Sequence, residues 1–97
     1  NYKIYQAHLK DNHLSIERNP QLENFHIVQH LYYHEPTQSL LIGTMSDGFY
    51  HYRLADKTLE NIGNLKDVTI NTVIPHRNSP NEILIATDGN GVYRLNM

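Results

Sequence analysis

A chain of 97 residues makes one domain or a piece of one, and it buries only about two-thirds of its unfolded surface at best. It has no cysteine, which excludes a disulfide framework and a thiolate metal site. Its 8 Lys+Arg against 10 Asp+Glu leave a formal net charge of −2 with no basic run, so the dense cationic face that nucleic acid requires is missing.

The longest apolar runs, such as Leu40-Leu41-Ile42, are a few residues long. A membrane span needs about 20, so no membrane contact is expected from this segment. The chain opens Asn1-Tyr2-Lys3 with no cationic or apolar stretch. It is not expected to be a signal peptide, and is expected to start inside a longer protein.

In chain order, the first segment carries Tyr5, Leu9, Asp11 and Leu14, which fall on Tyr50, Leu54, Asp56 and Leu59 at an offset of 45. The next stretch, 27–33, is β-branched and aromatic and reads as a strand. Residues 39–44 follow, with Leu40-Leu41-Ile42 short and apolar enough for a strand covered on both faces. Ser46-Asp47-Gly48 is turn chemistry, because these residues tolerate positive φ. Strands are expected at 48–54 and 58–62, around the turn Ala55-Asp56-Lys57, with Gly63-Asn64 as the break.

The remaining residues repeat this pattern. With Ile27 set on Ile70, an offset of 43, Leu31 meets Ile74, Leu41 meets Leu84, Thr44 meets Thr87, Gly48 meets Gly91 and Tyr50 meets Tyr93, without a gap. Asp88-Gly89-Asn90-Gly91 is the second copy of the turn. No stretch carries a helical apolar stripe with caps, so almost no helix is expected.

Four short strands in a unit of about 40–50 residues favour a β-propeller. The expected fold is therefore all-β: about two four-stranded antiparallel blades of a β-propeller, an incomplete fragment. Residues 1–97 form one propeller fragment, with 2–18 the back half of one blade, 27–62 one full blade and 70–97 the front part of the next. A propeller takes roughly four to eight blades, far more than 97 residues supply. Open sheet edges recruit other chains, so self-association through sheet edges is expected, one copy's first segment completing another's last sheet.

The block Leu41-Ile42-Gly43-Thr44 through Gly48-Phe49-Tyr50, repeated at 84–93, resembles a two-component-regulator propeller repeat. Leu41 and Leu84 stand where that family has tryptophan, Ala86 replaces its glycine, and Asp47 and Asn90 replace the first glycine of its pair. Such repeats form the periplasmic sensor region of hybrid histidine kinases, many of which respond to oligosaccharides. The resemblance implies a non-catalytic segment of a periplasmic ligand-sensing propeller in a signal-transduction protein, responding to glycan fragments. The residues leave two alternatives open. Thr87 to Leu95 is also similar to a quinoprotein-type propeller repeat, which implies an enzyme, and propeller edges can serve as a protein-interaction scaffold.

Individual residues carry little chemistry. His26, His30 and His34 are four apart, but on a strand successive ones lie about 13 Å from each other, too far to converge on one metal ion. They are expected to be half-exposed strand histidines. Tyr32, Tyr33, Tyr50, Tyr52 and Tyr93 could form a stacking platform for sugars, though Tyr50 and Tyr93 share a repeat position and are expected to pack between sheets. Asp88-Gly89-Asn90-Gly91 lacks the ligand spacing of a calcium loop and is read as a hairpin turn. No phosphate-cradling or nucleophile motif appears. No catalytic residue, metal or cofactor is expected. The weak ligand-binding candidates are Asp47, Asp88 and Asn90, in the two equivalent turns.

Overall fold

A computed structural model describes residues 2–97, so the reading of Asn1 lies outside the described residues. Among the described residues, nine strands form three antiparallel sheets, each with its strands in chain order. The first sheet is a hairpin of β1 (Gln6–Lys10) and β2 (His13–Glu17). The second contains β3 (Val28–His34), β4 (Ser39–Thr44), β5 (Phe49–Arg53) and β6 (Thr58–Asn61). The third contains β7 (Ile70–His76), β8 (Ser79–Thr87) and β9 (Val92–Asn96). Helical structure among the described residues amounts to three single 3₁₀ turns, Pro20–Leu22, Glu35–Thr37 and Gly63–Leu65.

The second sheet is the middle layer, and β4 shows why. Successive strand side chains point to opposite faces. Leu41 and Ile42, both fully buried, therefore enter two different cores. Leu41 and Phe49 pack against Ile70, Val73, Ile83 and Ile85 of the third sheet. Ile42 and Tyr52 pack against Ile4, Leu22 and Phe25 of the N-terminal segment. Gly43 has its own reason: a Cβ there would lie 2.6 Å from Ile70 Cγ2. The third sheet can approach this closely because position 43 has no side chain.

Turn chemistry sets the registers. Asp11 and Asn12 both take positive φ, 52° and 63°, as a two-residue type I′ hairpin needs. That turn has no counterpart at 54–57, where four residues join β5 to β6. The offset of 45 expected for the first segment therefore does not carry over into strand register. A better repeat is found in the connections. Leu22 and Leu65, 43 residues apart, both close a 3₁₀ turn and are both buried, and Phe25 and Val68 follow them into the two cores.

The gapless alignment also needs one correction. His30 pairs with Gly43 and Leu31 with Ile42, whereas Thr72 pairs with Ala86 and Val73 with Ile85. By these partners Leu31 corresponds to Val73, not Ile74. The register irregularities at Val28/His30 and Ile70/Thr72 are equivalent in the two copies, and the third sheet has a further one at Pro75/His76 without a counterpart in the second. A one-residue slip exchanges the two faces of a strand, which periodicity alone cannot detect in a stretch as uniformly apolar as this.

Candidate ligand groove

A concavity of about 410 Å³ lies between the N-terminal segment and the second sheet. Ile4, Tyr5, Gln6 and Ala7 form one wall with Leu22. The opposite wall is one face of β3, β4 and β5, where Leu31 pairs with Ile42, Tyr33 with Leu40, and Leu40 with Tyr52. Leu31, Tyr33, Leu40 and Tyr52 share this face because alternate side chains of a strand point to the same side.

Three tyrosines reach this groove. Tyr52 is buried in its floor, and its hydroxyl accepts from Asn19 Nδ2 at 2.5 Å. Tyr33 and Tyr5 are 48% and 47% exposed, so their rings are half open to solvent. An amphipathic ring with one exposed face and a polar tip suits a ligand that is part apolar and part hydroxylated. Tyr33 and Tyr52 were legible as stacking candidates. Tyr5 was not, since only the tertiary fold brings residue 5 beside residues 33 and 52.

The other tyrosines are placed differently. Tyr32 lies on the opposite face of β3 and packs against the core shared with the third sheet. Tyr50 meets Phe25 edge-on, with ring centroids 5.2 Å apart. Burial first, then the charge of Asp47 at the far end of a 3.4 Å hydrogen bond, pushes the Tyr50 phenol above 10.0. Tyr93 shares the repeat position but stays 36% exposed.

Asp47, Asp88 and Asn90 do not line the groove. They sit in two turns of the same design. Thr44 Oγ1 donates to the Gly48 carbonyl at 2.7 Å and accepts the Asp47 N–H at 3.1 Å. Thr87 Oγ1 donates to the Gly91 carbonyl at 2.6 Å and accepts the Asn90 N–H at 3.2 Å. Thr69 ties the two turns together: its Oγ1 accepts the Ser46 N–H at 3.0 Å and its carbonyl accepts the Asp88 N–H at 3.0 Å. All three candidates therefore lie on one rim, and the backbone of each serves the turn.

Of the three histidines, only His30 meets the expectation of a half-exposed strand position. His26 is exposed and precedes β3, His30 is half-buried, and His34 is 1% exposed. His34 is a tie between sheets: Nδ1 meets Thr37 Oγ1 at 2.7 Å and Nε2 meets the Pro80 carbonyl at 2.8 Å. Among the described residues no group of three or more His, Cys, Asp or Glu could hold a metal ion.

A second, smaller cavity of about 240 Å³ lies between β5, β6 and the C-terminal strand, lined by Ser39, His51, Glu60, Ile62, Leu95 and Met97 among others. His51 Nε2 is buried there without a hydrogen-bond partner. Burial first, then Arg53, holds the His51 imidazole below 6.5, while Glu60 opposes the shift.

No helix among the described residues is long and apolar enough to cross a membrane. Comparison with protein-family models, with curated proteins and with solved structures found no match to this chain.

Proposed function

We propose that the chain is a non-catalytic stretch of a ligand-sensing β-propeller, that its three sheets are successive blades, and that the aromatic groove takes an oligosaccharide fragment. The blade reading is supported by the turn that recurs with the same two threonine hydrogen bonds at Thr44 and Thr87, and by sheets stacked face to face through apolar residues. A saccharide ligand is supported by one observation above the others: Tyr5, Tyr33 and Tyr52 share an open groove of about 410 Å³ with aliphatic walls. Pyranose rings present C–H faces to aromatic rings and hydroxyls to polar tips, which matches that lining. With the resemblance to two-component-regulator repeats, the same reading puts the module in the periplasmic part of a hybrid histidine kinase. Occupancy of the groove would then bias how the first sheet packs on the second.

The test is a titration of the full chain with a panel of neutral oligosaccharides, followed by tyrosine fluorescence and calorimetry. Saturable binding is expected, weakened up to about tenfold by Tyr33→Ala or Tyr5→Ala, with the saccharide recovered unchanged. Absence of binding across the panel overturns the ligand. Cleavage or oxidation of the saccharide overturns the non-catalytic assignment.

A further inference from the structure

Two apolar faces stay open to solvent among the described residues, and they belong to different sheets. On the first, register pairs Leu9 with Leu14 and Ala7 with Ile16, so these four side chains share one face of the hairpin. Leu9, Leu14 and Ile16 are 73%, 66% and 62% exposed. On the third sheet, Ile74 pairs with Leu84, and Ala86 pairs with Val92 beside them. Strand alternation sets these residues opposite to Val73, Ile83 and Ile85, which face the second sheet. Ile74 is 49% exposed and Val92 68%.

The internal repeat says what such a face receives. Leu84 and Val92 follow Leu41 and Phe49 by 43 residues, and Ile74 pairs with Leu84 as Tyr32 pairs with Leu41. Leu41 and Phe49 are fully buried because a sheet carrying Ile70, Val73, Ile83 and Ile85 lies on them. The outer face of the third sheet is thus, position for position, one that takes a sheet of aliphatic side chains. Its charges do not oppose this, since Arg94 Nε and Glu82 Oε1 neutralise each other at 2.6 Å. The hairpin face, with Ala7, Leu9, Leu14 and Ile16 and no charged residue on that side, has the matching chemistry.

We propose that a second copy of this chain lays the apolar face of its β1–β2 hairpin on the outer face of the third sheet. The contact is head-to-tail, so each copy keeps one open face of the other kind and association continues into a ring or a filament. It buries faces, whereas the expectation from sequence was pairing of edges. It rests on sheet packing and not on the proposed ligand, and of its hairpin residues only Ala7 also lines the groove.

Light scattering over a wide range of concentration tests it, on full chains carrying Val92→Glu or Ile16→Glu. Both positions are exposed, so both variants should fold, which circular dichroism checks. The wild-type chain should show a mass above 11.3 kDa that grows with concentration. Each variant alone should be monomeric, and an equimolar mixture should form a 1:1 dimer that grows no further. Association of either variant by itself, as an isologous contact or edge pairing gives, overturns the proposal, and so does a monomeric wild type. A second measurement covers failure of the hairpin to fold. The chain has no cysteine, so Leu14→Cys and Val92→Cys chains can be mixed and oxidised. The mixed disulfide should far exceed the half of the product that random pairing gives, and a statistical 1:2:1 mixture of the three overturns the contact.

Discussion

The imidazole of His34 and the carbonyl of Pro80 lie 2.8 Å apart, and this contact crosses from the second sheet to the third. A carbonyl only accepts, so Nε2 donates, and Nδ1 takes the hydroxyl hydrogen of Thr37 at 2.7 Å. Two chain segments far apart in sequence are thus joined through one buried ring. Replacing His34 with Ala leaves a cavity, an unpartnered carbonyl and an unpartnered hydroxyl. The expected loss is about 2–4 kcal/mol in urea unfolding, with Gln recovering part of it. A loss below about 0.5 kcal/mol would remove the inter-sheet role.

Gly43 predicts a contrast with Gly63. A methyl at 43 meets Ile70 Cγ2 at 2.6 Å and Ile70 Cβ at 2.8 Å. Gly43→Ala should cost about 1–3 kcal/mol, and Ile70→Ala in the same chain should relieve it only in part, because the Cβ contact stays. At Gly63 nothing lies within 4 Å and φ is not positive. Gly63→Ala should be neutral or stabilising by about 0.4–1 kcal/mol. Melting curves of the two variants side by side decide the matter.

The repeated threonine turn gives a second contrast. Thr44 is fully buried, while Thr87 is half-buried in a turn whose hydrogen bonds are exposed. Thr44→Val removes a buried hydrogen bond to the Gly48 carbonyl together with the part-buried one from the Asp47 N–H, and should cost about 1–3 kcal/mol. At Thr87→Val water can replace the lost partner, so the cost should be under about 1 kcal/mol. Equal costs would mean that the two turns are not energetically distinguished by burial.

His51 sets a pH dependence with a definite sign. Burial, and then Arg53, hold its imidazole below 6.5 in the folded chain, with Glu60 and Asp56 opposing and His34 adding to the shift. Between that depressed value and 6.5 the unfolded chain binds more protons than the folded one. This group's contribution is therefore complete above 6.5 and is lost as pH falls through the window. Urea midpoints at several pH values should show His51→Gln with a shallower decline on the acid side than the parent. Parallel profiles would assign the decline to other groups.

Much of the local structure was legible from residue pattern. Turn residues marked the hairpins around Ser46-Asp47-Gly48 and Asp88-Gly89-Asn90-Gly91, where Gly48, Gly89 and Gly91 take positive φ. Strands expected at 27–33, 39–44, 48–54 and 58–62 lie within one or two residues of β3 to β6, because alternation and punctuation act over a few neighbours. The all-β class follows from the same short-range signals.

What only the tertiary structure decided depends on distant partners. The slip that matches Leu31 with Val73 is set by hydrogen-bond register with β4 and β8, and both registers look equally apolar in sequence. The burial of His34 depends on where Pro80 lies, and the groove depends on Tyr5 arriving beside Tyr33 and Tyr52. Composition and spacing specify which way a strand alternates. Which of its two faces meets another sheet, and which stays open as on Val92, is fixed by long-range packing that no local pattern encodes.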